Sequence, residues 1–124
     1  MIISLFFNIF KILKHVWNSC IYWRERSFPN SFKGLKRLEY RGYDSSGIAI
    51  NNNLNLSLFK KQGKVAELEK HAAGVDTSGN IGIGHVRWAT HGAPNQANAH
   101  PHSSKEVSVV HNGIIENSAI IKKE

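Results

Sequence analysis

The sequence predicts an α+β fold in which helices and antiparallel strands pack in layers. Segments with helical spacing of apolar residues and segments with strict alternation fall in separate blocks. One pair of strands is joined by a short asparagine turn, which is typical of a hairpin. The 124 residues, 41% of them hydrophobic, suffice for one domain with a core of its own.

The first 30 residues differ in composition from the rest and are predicted to be a separate segment, with the domain proper at 31–124. They are apolar and basic, and their longest uncharged run is ten residues. A membrane span needs about 20 apolar residues, and a signal peptide needs a basic start and a small-residue cleavage site. We therefore expect no membrane span, although a helix lying on a membrane surface stays an alternative.

Charge and cysteine content point to a cytoplasmic protein without nucleic-acid partners. The formal net charge is +7, but residues 1–41 contribute +6 of it and residues 42–124 only +1. No nucleic-acid-binding motif accompanies the basic segment. A single cysteine, Cys20, cannot form an internal disulfide.

The domain is predicted to begin with a helix and a hairpin. Ser31 is a suitable N-cap for a helix that ends before Gly42. Its apolar face consists of Phe32, Leu35 and Leu38. A strand over 46–51 follows, then a turn at 51–53, and a returning strand is predicted from the alternation of Leu54, Leu56 and Leu58.

The second half is predicted to hold a helix, two strands and the start of a third helix. The helix spans 64–73, and its buried face is expected to consist of Val65, Leu68 and Ala72. A strand over 81–86 leads into a long loop over 88–104. A short strand over 107–110 follows, and a helix is expected to start near Glu116.

Two polar groups are candidates for a binding site. Arg87 could form two parallel hydrogen bonds with a carboxylate, Thr90 and His91 offer further polar groups, and Trp88 offers an apolar wall. Such a set suits a zwitterionic amino acid, and the alternative is a structural loop with Trp88 in the core.

The dipeptide Asn112-Gly113 offers a side-chain amide beside an unobstructed backbone N–H, which suits an oxyanion hole; the alternative is a simple turn. Five histidines cluster over 85–111, but no thiol accompanies them, so hydrogen-bonded structural histidines are expected rather than a metal site.

Three spaced segments of the sequence have a specific pattern when they are taken together. The first segment is 38–47, with sequence LEYRGYDSSG, and the second is 84–92, with sequence GHVRWATHG. The third combines NAHPH at 98–102 with VVHNGIIEN at 109–117. In order and spacing they closely resemble the glutaminase domain of the glutamine–fructose-6-phosphate aminotransferases, a family of class II glutamine amidotransferases. The resemblance covers about residues 33–124.

The resemblance implies an N-terminal-nucleophile hydrolase fold, in which two sheets lie between two helical layers (αββα), here incomplete. It implies hydrolysis of L-glutamine, without a cofactor or metal, and transfer of the ammonia to a sugar-isomerase domain that makes glucosamine 6-phosphate. Family members are commonly homo-oligomers. The positions that match the family's site are Arg87, Trp88, Thr90 and His91 for glutamine, Asn112 and Gly113 for the oxyanion, and Arg41 and Gly42 for the turn that orients the nucleophile.

One family feature is not found in this sequence. The family's nucleophile is an N-terminal cysteine followed by glycine, whose free α-amino group handles the proton. Cys20 is internal and is followed by Ile21, so it is not expected to serve, and the chain is expected to be inactive alone. Without the family's first strand, an unpaired sheet edge and low stability are expected. The family's downstream glutamine-binding aspartate is also not found before Glu124.

Two other functions stay open at this point. A non-catalytic glutamine-binding module would keep the residues that hold glutamine. Another class II amidotransferase, such as amidophosphoribosyltransferase, would share the general plan.

Overall fold

The structure is a computed structural model, and it describes residues 2–4, 20–23, 28–52, 55–104 and 107–123. In chain order its elements are β1 (Ile2–Ser4), β2 (Cys20–Trp23), α1 (Phe28–Leu38), β3 (Ser45–Asn51), β4 (Leu56–Gln62), α2 (Val65–Ala72), β5 (Ile81–Arg87), β6 (His102–Ser104), β7 (Val107–His111) and α3 (Ser118–Ile121). One turn of 3-10 helix, Glu39–Arg41, extends α1.

The strands form two antiparallel sheets. The larger sheet has the order β2-β5-β3-β4, and the smaller has the order β1-β7-β6. Strand β2 runs beside β5 with Cys20 opposite His85 and Trp23 opposite Gly82. An unpaired sheet edge was expected without naming a strand, and β5 has none over these four residues, because a strand from the first 30 residues pairs with it.

The central strands of the larger sheet, β3 and β5, are buried on both faces, and the alternation along them decides which residue faces which layer. Ile48 and Ile50 of β3 face the helices, where the core consists of Phe32, Leu35, Ile48, Ile50, Phe59, Val65, Leu68, Ala72 and Val86. Ala49 points the other way and packs with Ile83 and with Val110 of the smaller sheet. The described chain is thus layered as helices, sheet and sheet.

The predicted hairpin and second helix are confirmed, and the register of the hairpin decides which residues of β4 lie in the core. All three predicted apolar residues of α2 are buried. In β4, however, Phe59 lies in the core, whereas Leu58 is 40% exposed. The reason is the register: Phe59 is opposite Ile48, on the helix side, and Leu58 is opposite Ala49. Leu54 lies outside the described residues.

Helix α1 begins four residues earlier than predicted. It starts at Phe28, so Ser31 lies inside the helix and is not its N-cap, which corrects the prediction. Pro29 falls in the first turn, where a missing N–H costs no intrahelical hydrogen bond. The helix crosses the boundary predicted between residues 30 and 31, and that division of the chain stays a prediction.

The loop over 88–104 contains a strand that was not predicted. Strand β6 is polar, and it is a strand because His102 to Ser104 pair with β7. Helix α3 begins at Ser118 rather than near Glu116 and is only four residues long. Among the described residues, no helix has the length and apolar character needed to cross a membrane.

Candidate functional site

The turn between α1 and β3 holds the end of β5 by close backbone contact. A Cβ atom on Gly42 would lie 2.6 Å from the carbonyl carbon of Arg87 and 2.7 Å from the nitrogen of Trp88. The φ angle of Gly42 is 178°, which any residue can adopt, so the glycine is required by space rather than by backbone conformation.

Asp44 extends this contact beyond the end of β5. Its backbone N–H donates to the carbonyl oxygen of Arg87 at 3.1 Å. Its carboxylate oxygen Oδ2 accepts the N–H of Ala89 at 2.8 Å. The turn over 42–44 therefore contacts the segment that begins at Arg87, and the two predicted site segments lie together.

Arg87 projects into the loop that follows β5. Its Nη1 donates to the carbonyl oxygen of Ala93 at 3.1 Å, and its Nη2 donates to that of His91 at 2.5 Å. Asn98 also donates to the Ala93 carbonyl, through Nδ2 at 3.0 Å. The guanidinium thus shapes the loop, a role that its sequence position did not indicate.

Trp88 lies on the surface of the site and not in the core, so the alternative of a buried structural tryptophan is wrong. Its side chain is 58% exposed. The ring of Tyr43 meets it edge-on, with centroids 6.0 Å apart. Beside it, Thr90 Oγ1 lies 3.3 Å from His91 Nδ1. These exposed groups form one surface at the end of β5.

Asn112 and Gly113 follow β7 directly, in the smaller sheet. Gly113 has a φ angle of +141°, which a side chain would strain, and this accounts for glycine after the asparagine. The Oδ1 atom of Asn112 lies 2.7 Å from Nε2 of His85 on β5. This hydrogen bond joins the two sheets and ties the predicted oxyanion donors to the strand that ends at Arg87.

Three histidines form a row behind this bond. The ring of His100 lies 4.6 Å from that of His85 and 4.4 Å from that of His102. Burial lowers the pKa of His85 to about 4, with the charge of Arg87 acting in the same direction. Burial, together with the charge of His85, lowers the pKa of His100 to about 3. The row is therefore neutral near neutral pH.

The backbone of His100 leaves no room for a side chain at position 47 of β3. A Cβ atom on Gly47 would collide with the carbonyl oxygen of His100.

Within the part of the chain that the structure describes, no group of three His, Cys, Asp or Glu side chains is arranged to hold a metal ion.

Two residues remain to be placed: Arg41, a predicted member of the nucleophile-orienting turn, and Cys20, which is not expected to be the nucleophile. Arg41 turns toward its neighbour, with Nε donating to the hydroxyl of Tyr40 at 2.6 Å and the guanidinium 5.0 Å from the ring centroid. Cys20 is opposite His85 in the sheet register. In register it is therefore two residues short of Arg87, about 7 Å along the strand.

The contribution of His85 was missed by the sequence argument. The sequence shows the cluster of five histidines, but nothing in it indicates that His85 forms a hydrogen bond with Asn112. That residue is 27 positions away and follows a strand of the other sheet. The only available signal was a polar residue at a buried strand position, since His85 is 3% exposed.

No family model matches the chain. Curated proteins do match it: the chain is 53% identical over 104 residues to a glutamine–fructose-6-phosphate aminotransferase (isomerizing) of Bacteroides thetaiotaomicron, an alignment that covers 82% of the chain and 17% of the relative. It is 55% identical over 94 residues to the protein of the same name from Staphylococcus aureus strain N315, with 74% of the chain and 16% of the relative covered. The chain thus spans about a sixth of the length of these relatives.

Two solved structures resemble the fold. One is described as the allosteric regulatory enzyme of purine biosynthesis, with a TM-score of 0.70 and 29% identity over 82% of this chain and 23% of that one. The other is a glutamine phosphoribosylpyrophosphate amidotransferase from B. subtilis in complex with ADP and GMP, with a TM-score of 0.68, 28% identity and the same coverage. The expected α+β fold of the N-terminal-nucleophile hydrolases is confirmed.

Proposed function

We propose that this chain, which belongs to the family of the glutamine–fructose-6-phosphate aminotransferases, forms part of a glutaminase domain that binds L-glutamine at the end of β5. The observation that carries the proposal is the hydrogen bond of 2.7 Å between His85 and Asn112. Because His85 is two residues before Arg87 on β5, this bond supports a site in which the proposed oxyanion donors lie near the groups proposed to hold the substrate.

Each side chain has a distinct proposed role in glutamine binding. Arg87 binds the α-carboxylate, and Trp88 lies along the aliphatic part of the substrate. Thr90 and His91 supply hydrogen bonds to the polar groups at the ends of the glutamine molecule. The turn at Arg41 and Gly42 fixes the backbone against which the amine of a nucleophile would be oriented, through the contact of Gly42 with β5.

Asn112 and Gly113 would act on the reacting amide. When a thiolate adds to the amide carbon, negative charge develops on the carbonyl oxygen. The side-chain N–H of Asn112 and the backbone N–H of Gly113 would donate to that oxygen. Removal of one such donor typically lowers kcat by about 10²–10³-fold.

The nucleophile itself is not assigned within this chain. Cys20 is the only cysteine, and a competent family nucleophile requires a free α-amino group. We propose that the chain binds glutamine but does not hydrolyse it. In the whole protein, ammonia would pass to a sugar-isomerase domain that makes glucosamine 6-phosphate, in a cytoplasmic homo-oligomer.

Calorimetric titration of the full 124-residue chain with L-glutamine tests the binding proposal. We expect saturable binding that Arg87→Ala abolishes and that Arg37→Ala, an exposed change on α1, leaves intact. Equal binding by all three proteins, or no binding by the unaltered chain, would refute the assignment.

An ammonia assay tests the statement about the nucleophile. Binding without ammonia release is the expected result, and it equally fits a non-catalytic glutamine-binding module. Ammonia release that a thiol-alkylating reagent blocks would show that Cys20 is competent after all.

A further inference from the structure

The hydrogen bond between His85 and Asn112 defines which way the asparagine amide faces. The amide atom of Asn112 that lies 2.7 Å from His85 Nε2 is the oxygen, Oδ1. An amide group has its oxygen and its nitrogen on opposite branches of the same carbon. When the oxygen is directed at His85, the two N–H bonds of Nδ2 are therefore directed away from β5.

The tautomer of His85 follows from its surroundings. Asn112 Oδ1 can only accept, so Nε2 must carry the hydrogen. The other ring nitrogen, Nδ1, is buried without a hydrogen-bond partner among the described residues. A buried N–H without a partner is rarer than a buried lone pair without one, so Nδ1 is expected to carry no hydrogen. Both nitrogens therefore favour the tautomer with its hydrogen on Nε2.

We propose that His85 is a positioning residue of the oxyanion hole: its Nε2–H holds Oδ1 of Asn112 and so turns the Nδ2–H bonds toward the reacting carbonyl oxygen. The inference rests on the proposed function for its link to glutamine, whereas the positioning of the amide stands on the geometry alone. His85 touches no substrate and acts through Asn112.

The buried row of histidines makes this arrangement robust. A reversed amide would need the other tautomer of His85, with Nε2 accepting and the hydrogen on Nδ1, and that buried N–H would have no partner among the described residues. The ring cannot easily turn to give Nδ1 a partner, since its centroid lies 4.6 Å from that of the His100 ring. Burial lowers the pKa of His85 to about 4, so the ring is neutral near pH 7.

Two substitutions at position 85 separate positioning from general packing. In His85→Gln the side-chain amide reaches about as far as Nε2 and can still donate to Asn112. In His85→Asn the amide ends near the position of Nδ1 and cannot reach. His71→Asn, an exposed change on α2, is the control for the loss of an imidazole.

Two measurements on the full chain give the readouts. Nitrogen-15 NMR of the imidazole reports the tautomer, and the side-chain NH₂ relaxation of Asn112 reports whether its amide is held. Titrations with L-glutamate and with L-norvaline then compare a ligand that has a terminal carboxylate with one of the same length that lacks it.

We expect the tautomer with the hydrogen on Nε2, and an Asn112 amide that is ordered in the unaltered chain, in His85→Gln and in His71→Asn but mobile in His85→Asn. The affinity for glutamate should fall about tenfold in His85→Asn, while that for norvaline stays the same. A hydrogen on Nδ1, or an ordered amide in His85→Asn, would overturn the proposal.

The failure of the proposed function would give a different pattern. If the unaltered chain binds neither ligand, the assignment of a glutamine site is wrong, and the NMR measurements alone decide whether His85 positions Asn112. If both ligands lose affinity equally in His85→Asn, the substitution acts by general distortion and the positioning role is refuted.

Discussion

Acidification should destabilise this fold through His85. The ordinary pKa of a histidine is 6.5, and burial lowers that of His85 to about 4 in the folded chain. Between these two values the unfolded chain binds a proton at His85 and the folded chain does not. The contribution of neutral, buried His85 to the free energy of unfolding is therefore fully present above about pH 6.5 and is lost as the pH falls toward 4.

The size of the effect follows from the same two values. Each pKa unit corresponds to about 1.4 kcal/mol, so the difference between 6.5 and about 4 amounts to about 3 kcal/mol at full protonation. A domain of this size is stable by about 5–15 kcal/mol, so the contribution of one histidine is a large part of the total.

Urea unfolding followed by circular dichroism, repeated in steps from about pH 7 to about pH 4, measures the effect. His85→Gln is the comparison because it keeps a donor but cannot titrate. The charged and titratable neighbours that face His85 are Arg87, His100 and His102, and they are present in both proteins. From pH 7 to pH 4 the free energy of unfolding of the unaltered chain should fall by up to about 3 kcal/mol more than that of the variant.

Parallel loss of stability in the two proteins would refute the reasoning, because His100 and the carboxylates would then account for the whole pH dependence. A chain that is more stable at pH 4 than at pH 7 would contradict the burial of a neutral His85 altogether.

Three further predictions concern the scaffold of the site, each measured as the free energy of unfolding in urea. Gly42→Ala should destabilise by about 1–3 kcal/mol, since its Cβ would lie 2.6 Å from backbone atoms that cannot easily move. Glu39→Ala should cost about 0.5–2 kcal/mol, because Glu39 Oε1 accepts the N–H of Val65 at 2.6 Å and caps α2; Glu67→Ala, an exposed change on the same helix, should cost less, and equal costs would contradict the capping role. Leu68→Ala should cost about 2–5 kcal/mol, and a value below 1 kcal/mol would show that the layer between helix and sheet is loosely packed.

Local patterns predicted much of the fold because local rules determine those parts. The hairpin of β3 and β4 follows from alternation on either side of an asparagine turn, and the buried face of α2 follows from helical spacing. Strand β6 escaped prediction because nothing in His-Ser-Ser marks a strand; its pairing with β7 makes it one. The register of β4 was equally out of reach, since the core position of Phe59 depends on the partner it meets in β3.

The candidate site was predicted as a set of residues but not as an arrangement. The motifs supplied Arg87 and Asn112, whereas the hydrogen bond from His85 depends on how one sheet stacks on the other. The same is true of the turn at Asp44, whose carboxylate accepts the N–H of Ala89 across 45 positions of sequence. Contacts of this kind follow from tertiary packing, which no periodicity within one element encodes.

Arg87 shows how a predicted binding residue can also have a structural role. A guanidinium has five N–H bonds, and the carbonyl oxygens of His91 and Ala93 engage its two terminal nitrogens. A carboxylate that binds in fork geometry needs two more N–H bonds, which the group can supply without releasing the loop. Substrate binding and loop shape are therefore compatible in one side chain, whereas a lysine at this position, with three N–H bonds, could not bond both carbonyl oxygens and also hold a carboxylate in fork geometry.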